Sequence, residues 1–156
     1  MKIVIVGPGI MSIPPTGWGA VEILIWDQKL ALEELGHEVV IVNTPHPMEI
    51  IKDINAEAPD FVHIQYDDFI EIYPYIQYPC AITSHFGYLE QPERWDYYGD
   101  RIVKPFERIK PLVFCLSSGI RDVYRDKIGI PEEHLFVTPN GVNVDNFRFT
   151  ISPEFP

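Results

Sequence analysis

Lys2-Ile3-Val4-Ile5-Val6 is the first of two short apolar runs that decide the fold, and Glu38-Val39-Val40-Ile41-Val42 is the second. Both are rich in β-branched residues and have the length of a buried strand. The segment between them, Ala20–Leu35, has the length and composition of a helix, and Gly36 supplies the left-handed residue that commonly ends one. A strand, a helix and a second strand in this order predict a parallel βαβ unit.

The same alternation of short apolar runs and longer amphipathic segments continues through the rest of the chain. Four further strands are predicted, over Asp60–Gln65, Pro79–Ser84, Leu112–Leu116 and Leu135–Thr138. Helices are predicted over Met48–Ala56, within Tyr66–Tyr75, over Arg94–Lys110 with an interruption at Pro105, and from a Ser117 or Ser118 cap to Ile128. This pattern predicts an α/β fold in which a Rossmann-like parallel sheet of about six strands carries helices on both faces.

The negative net charge argues against two classes of partner. The 156 residues include 12 Lys and Arg against 23 Asp and Glu, a formal net charge of −11. Binding to duplex nucleic acid or to an anionic membrane draws on clustered basic residues, and no such cluster is present. No apolar run is long enough to span a membrane, and the first run is too short for the core of a signal peptide. We therefore expect no nucleic-acid partner, no membrane span and a cytoplasmic location.

The cysteines and histidines predict no disulfide framework and no metal site. Cys80 and Cys115 each lie in an apolar run, which favours two buried free thiols. No histidine pair has the spacing of zinc ligands on a helix. His63 alternates with apolar residues inside a predicted strand, and we interpret it as a hydrogen-bonded core or interface residue.

In open parallel sheets, ligands bind outside the carboxyl ends of the strands, so the loops that follow the strands hold the candidate site residues. Gly7-Pro8-Gly9 resembles the start of a dinucleotide-binding fingerprint, but Ser12 replaces the third glycine and the prolines Pro14-Pro15 follow where a helix should run. The second strand ends in Asn43 rather than the acidic residue that would hold a ribose. A nicotinamide or flavin oxidoreductase is therefore the least favoured function.

Gly17, Trp18 and Gly19 stand immediately before the first helix. Their backbone could approach a ligand closely, and the first-turn N–H groups of a helix favour an anion such as a phosphate. The alternative is a simple loop-to-helix junction with Trp18 packed down.

His85 directly follows the predicted fourth strand and precedes Phe86-Gly87. Its place at the ligand-binding edge favours a functional role over a structural hydrogen bond. Asp67, Asp68 and Glu71 form either a site cluster or a solvated helix start, of which we favour the second. An aromatic patch beside His85 would stack on sugar rings or only fill loops, and its members are Tyr88, Trp95, Tyr97 and Tyr98.

Together, these motifs resemble a known family. Gly17-Trp18-Gly19-Ala20-Val21-Glu22 opens a long helix, Leu35-Gly36-His37-Glu38-Val39 enters the second strand, and His85 ends a later one. The segment Val137-Thr138-Pro139-Asn140-Gly141-Val142-Asn143-Val144-Asp145-Asn146-Phe147 is similar to the one that leads toward the second domain in retaining GT-B glycosyltransferases of the glycogen-synthase and mannosyltransferase-like superfamily. The resemblance covers about residues 1–150 and identifies the chain with their amino-terminal domain.

The resemblance implies a division of roles. Residues 1–146 would form a Rossmann-like domain that binds the acceptor, which is a glycan, a lipid or a small molecule, and Asn140 and Gly141 would form a hinge. Gly17, Trp18 and Gly19 would lie against the diphosphate of a nucleotide-sugar donor, and His85 would be the catalytic residue near the transferred sugar. Such enzymes need neither a metal nor a cofactor, since the nucleotide sugar is a co-substrate. The acceptor contacts are assigned to Tyr66, Asp67, Phe86, Tyr88 and Ser117.

Residues 147–156 would be a linker toward a donor-binding domain, supplied in cis or in trans, because the motifs of that domain are missing from these residues. The apolar residues there are Phe147, Phe149, Ile151 and Phe155, and they suggest a surface to cover, on this domain or on an absent partner. We expect the isolated chain to be inactive. The alternative function is a noncatalytic carbohydrate-binding or scaffold module of the same fold.

Overall fold

The computed structural model describes residues 1–85 and 92–144. Its strands are β1 (Lys2–Val6), β2 (Glu38–Val42), β3 (Phe61–Ile64), β4 (Cys80–Ile82), β5 (Leu112–Cys115) and β6 (Leu135–Val137). In this part of the chain they form one six-stranded sheet in the order β2-β1-β3-β4-β5-β6, and every neighbouring pair is parallel. The predicted Rossmann-like α/β sheet is confirmed, with the reversal of strand order between β1 and β3.

The helices of the described residues are α1 (Ala20–Glu34), α2 (Pro47–Glu57), α3 (Trp95–Tyr98), α4 (Lys104–Ile109) and α5 (Ser118–Asp126). The predicted end of α1 is confirmed, because Leu35 follows the last turn and Gly36 has a φ of 85°. A 3-10 helix, Asp67–Tyr75, occupies the stretch where a short helix was expected.

The predicted interruption at Pro105 is wrong in position. A π-helical turn, Gly99–Val103, separates α3 from α4. Pro105 lies in the first turn of α4, which directly follows this π-helical turn. The irregularity therefore starts at Gly99.

Each face of the sheet has its own core. On one side, Val21 and Ile25 of α1 pack against Ile3 and Ile5 of β1 and Val39 of β2. The larger core on the other side takes residues from α2, α4, α5 and the 3-10 helix. Helices therefore lie on both faces, as predicted, and we call the first side the α1 face.

The part of the α1 face formed by β3, β4 and β5 carries both polar and apolar side chains. The alternation in β3 turns Val62 and Ile64 toward the large core, so His63 belongs to the α1 face. The ring of Phe114 in β5 contacts both Phe61 and His63 of β3, with ring centroids 6.1 and 5.0 Å apart. Because β4 lies between these strands, the contact requires a small side chain there, and the buried Ala81 provides it.

Cys80 and Cys115 are buried free thiols, as predicted. Burial raises the pKa of each to about 12, so both remain protonated at neutral pH. Within residues 1–85 and 92–144, no helix combines the length and the apolar character needed to cross a membrane.

Candidate functional site

A cavity of about 590 Å³ lies between α1 and the α1 face of the sheet. Gln28 and Leu30 line it from α1, and His63 and Phe114 line it from the sheet. The segment 138–144, which follows β6, forms a further wall. The cavity therefore presents polar groups and apolar surface to the same space, a combination typical of small-molecule sites.

His85 lies at the carboxyl end of β4, as predicted, and lines this cavity. Its Nε2 lies 2.9 Å from Oε1 of Gln65, the residue that follows β3. Burial lowers the pKa of His85 to about 4, so the imidazole is neutral at pH 7. A neutral imidazole with one nitrogen bound to the protein has the other nitrogen for a ligand.

His63 is a hydrogen-bonded core residue, as predicted. Its Nε2 lies 2.8 Å from Oγ1 of Thr83, and its Nδ1 lies 3.5 Å from Nε2 of Gln28. Burial lowers the pKa of His63 to about 3, and the nearby His85 adds to the effect. The cavity thus has two neutral imidazoles on neighbouring strands.

The loop Gly17–Gly19 lies at the same edge of the sheet as His85, because it follows β1 and directly precedes α1. The side chain of Trp18 is 85% exposed, so the alternative in which it packs down is wrong. Glu22, in the first turn of α1, is buried, and its Oε2 would lie 3.0 Å from a Cβ added at Gly19. A carboxylate therefore already occupies the inner side of this helix start.

Asn43, at the end of β2, fixes the loop after β1, which the sequence analysis did not anticipate. Its Oδ1 accepts a hydrogen bond from the backbone N–H of Gly9 at 2.8 Å, and its Nδ2 donates to the carbonyl of Met11 at 2.7 Å. Gly9 has a φ of 71°, and a Cβ there would meet the backbone of Thr44 and Pro45 at 2.4 Å. This close loop packing accounts for Gly9 without a dinucleotide.

Asp67 was assigned to the acceptor, but its side chain has no exposed surface. Its Oδ2 accepts a hydrogen bond from the hydroxyl of Ser84 at 2.6 Å. Burial raises the pKa of Asp67 to about 6, although the Ser84 hydrogen bond opposes this rise. Acceptor contact by Asp67 stays a prediction, and it requires the carboxyl group to be uncovered.

The other two acidic residues of this stretch are paired with arginines. Asp68 lies 2.7 Å from Arg101, and Glu71 lies 2.7 Å from Arg108. The favoured interpretation as a solvated helix start therefore fails for Asp67, which is buried, and fits Glu71, whose side chain is 58% exposed within its ion pair.

The remaining predicted residues lie in three different settings. Tyr66 packs edge-to-face on Phe69, with centroids 5.1 Å apart, and Ser117 caps α5 by accepting from the backbone N–H of Ile120 at 3.2 Å. The predicted serine cap is confirmed. Asn140 and Gly141 line the cavity beside His85. Phe86, Tyr88 and the tail 147–156 lie outside the described residues.

The described part of the chain holds no group of three or more acidic, histidine or cysteine side chains placed to bind a metal ion. The cavity and its two histidines form the candidate site. The model of Glycosyltransferase Family 4 matches residues 43–146, a range that contains His63, Gln65, His85 and the segment 138–144. The chain belongs to this family. Most residues that line the cavity of this family 4 chain fall within the matched range.

One solved structure was also similar to this family 4 chain. It is the crystal structure of AviGT4, described as a glycosyltransferase involved in avilamycin A biosynthesis, with a TM-score of 0.48 and 22% sequence identity. The match covers 55% of this chain and 32% of the AviGT4 chain, so it spans about one third of that protein. The comparison with curated proteins gave no match.

Proposed function

We propose that this chain is the acceptor-side domain of a GT-B glycosyltransferase that transfers a sugar from a nucleotide-sugar donor with retention of configuration. The observation that carries the proposal is His85, a neutral strand-end imidazole that lines a cavity in a chain of Glycosyltransferase Family 4. A donor-binding domain, in cis or in trans, completes the site.

His85 contacts the sugar that is transferred. Positive charge develops on this sugar as its bond to the diphosphate breaks, and a fixed polar group with no charge of its own can bind it without repelling it. The acceptor binds near His85, and its proposed contacts are Tyr66, Ser117, Phe86 and Tyr88, of which Tyr66 and Ser117 do not line the described cavity. Asn140 and Gly141 form the hinge that lets the second domain close.

The donor diphosphate approaches the exposed residues Gly17 and Trp18. Glu22 already complements the start of α1 from the inside, so the phosphate charge needs further compensation. We assign this compensation to basic side chains of the donor-binding domain and none of it to a metal ion. The isolated chain is inactive, because reacting groups are held in place only when both domains enclose them.

The test joins this chain to a family 4 donor-binding domain and supplies a panel of nucleotide sugars. Release of nucleoside diphosphate is measured with and without sugar acceptors, and NMR reports the anomeric configuration of the product. We expect transfer with retention, and a loss of about 100-fold in His85→Ala. His46→Ala is the matched control, because His46 is exposed and lies outside the cavity.

Two results would contradict the proposal. One is the absence of both transfer and hydrolysis with every donor. The other is equal glycan affinity in the wild type and His85→Ala without any effect of a donor, which would favour the noncatalytic carbohydrate-binding module.

A further inference from the structure

A chain of hydrogen bonds runs across the α1 face and ends at His85. Nε2 of His85 contacts Oε1 of Gln65 at 2.9 Å, and Nε2 of Gln65 donates to Oε1 of Gln28 on α1. Nε2 of Gln28 lies 3.5 Å from Nδ1 of His63, and Nε2 of His63 lies 2.8 Å from Oγ1 of Thr83. Two strands and one helix are therefore connected through five side chains.

The orientation of the Gln65 and Gln28 amides in the structure gives the chain one direction. An amide oxygen can only accept, so the proton between His85 and Gln65 lies on Nε2 of His85. The amide nitrogen of Gln28 can only donate, so Nδ1 of His63 is an acceptor. A neutral imidazole with an acceptor at Nδ1 carries its proton on Nε2, and His63 therefore donates to Thr83.

Burial keeps this arrangement in place. His63, Gln65 and Thr83 are 7%, 3% and 3% exposed, so water has little access to replace their hydrogen bonds. A buried polar group that loses its partner costs about 1–3 kcal/mol, which opposes any reversal of a single amide. Among the described residues, none hydrogen-bonds to Nδ1 of His85.

We propose that Gln65 is a positioning residue that fixes His85 in the Nε2–H tautomer, so that Nδ1 of His85 can only accept a hydrogen bond. This inference rests on the proposed function, because it selects which ligand group His85 takes. An accepting nitrogen binds a hydroxyl group of a sugar and does not bind a phosphate oxygen, which has no proton to donate at neutral pH. Gln28, on α1, holds Gln65 in this orientation, because its Oε1 accepts a hydrogen bond from Nε2 of Gln65.

The test is NMR of the imidazole nitrogens in the isolated chain at pH 7, and it needs no activity. We expect His85 to show a protonated Nε2 and an unprotonated Nδ1. Gln65→Ala should shift His85 toward a mixture of tautomers, because no amide oxygen then accepts from Nε2. Gln65→Glu keeps an accepting oxygen, so Nε2 should stay protonated, while its negative charge should raise the pKa of His85. Gln77→Ala is the matched control, since Gln77 is exposed.

A protonated Nδ1 in the wild type would overturn the proposal, as would a folded Gln65→Ala with an unchanged His85 spectrum. If Gln65→Ala does not fold, the tautomer of His85 in the wild type decides. In the two-domain enzyme, Gln65→Ala should lower transfer by about tenfold. Lack of transfer by the wild type contradicts the proposed function, whereas the tautomer result tests the positioning role separately.

Discussion

Oδ2 of Asp67 lies 2.6 Å from the hydroxyl oxygen of Ser84, and this hydrogen bond joins the residues that follow two neighbouring strands, β3 and β4. Ser84 directly precedes His85, so a buried carboxyl group holds the backbone that presents the candidate catalytic imidazole. The protonation state of Asp67 therefore bears on both the stability of the fold and the position of His85.

Asp67 should make the chain less stable as the pH rises from about 4 to about 6. Burial raises its pKa in the folded state to about 6, above the ordinary value of 3.8, so the folded state keeps the proton longer than the unfolded state. By linkage, its contribution to the free energy of unfolding falls across this window by at most about 3 kcal/mol. Urea unfolding at several pH values measures it. Asp67→Asn should gain stability relative to the wild type as the pH rises.

The matched control for Asp67→Asn is Asp53→Asn, because Asp53 is exposed on α2 and its loss removes the same charge. A difference between the wild type and Asp67→Asn that is constant from pH 4 to pH 6 would contradict the expectation.

His63 should have the opposite effect and make the chain less stable as the pH falls. Burial lowers its pKa from 6.5 to about 3, so the unfolded state takes up a proton first as the pH falls below about 6.5. Stability is then lost with decreasing pH, at up to about 1.4 kcal/mol per pH unit. His63→Gln should reduce this acid sensitivity in unfolding experiments between pH 6.5 and pH 4. His46→Gln, an exposed histidine, should not, and equal slopes in both variants would refute the role of His63.

Gly9→Ala should destabilise the loop after β1 by about 2 kcal/mol or more, because its φ of 71° is unfavourable for alanine and the new Cβ would meet backbone atoms at 2.4 Å. Gly17→Ala is the matched control. A Cβ at Gly17 would meet no heavy atom within 4 Å, so this variant should fold like the wild type. Thermal unfolding compares the two, and equal midpoints would show that the loop packs differently.

The sequence was sufficient for the bounds of β1 and β2 and less so for those of β4. The bounds of β1 and β2 are as predicted, because both are apolar runs whose ends are marked by a glycine and an asparagine. The fourth strand, predicted over Pro79–Ser84, is shorter, Cys80–Ile82, and coincides with the apolar residues that lie between Pro79 and the polar Thr83 and Ser84.

The position of His85 could be predicted from its place after a strand, but its partners could not. Gln65 follows a different strand, and only the order of strands in the sheet brings the two side chains together. Burial of Asp67 depends in the same way on Ser84, which is 17 residues further along the chain. Consecutive acidic residues at a helix start usually face solvent, so no local signal indicated this contact.

Asn43 illustrates a signal that was present and misjudged. An asparagine at a strand end, opposite a loop with two glycines, can offer both a donor and an acceptor to backbone groups. Asn43→Ala should cost about 1–2 kcal/mol, because it leaves Gly9 N–H and the Met11 carbonyl without this partner. Asn43→Asp keeps the acceptor for Gly9 and should lose less. Denaturant unfolding measures both, and equal losses would mean that the acceptor does not matter.

Ala81 has a consequence for ligand size. Its methyl group leaves the space in which the ring of Phe114 reaches across β4 to Phe61 and His63. A bulkier residue at position 81 would push the ring of Phe114 toward α1 and make the cavity shallower. Ala81 therefore influences the depth of the cavity although it does not line it.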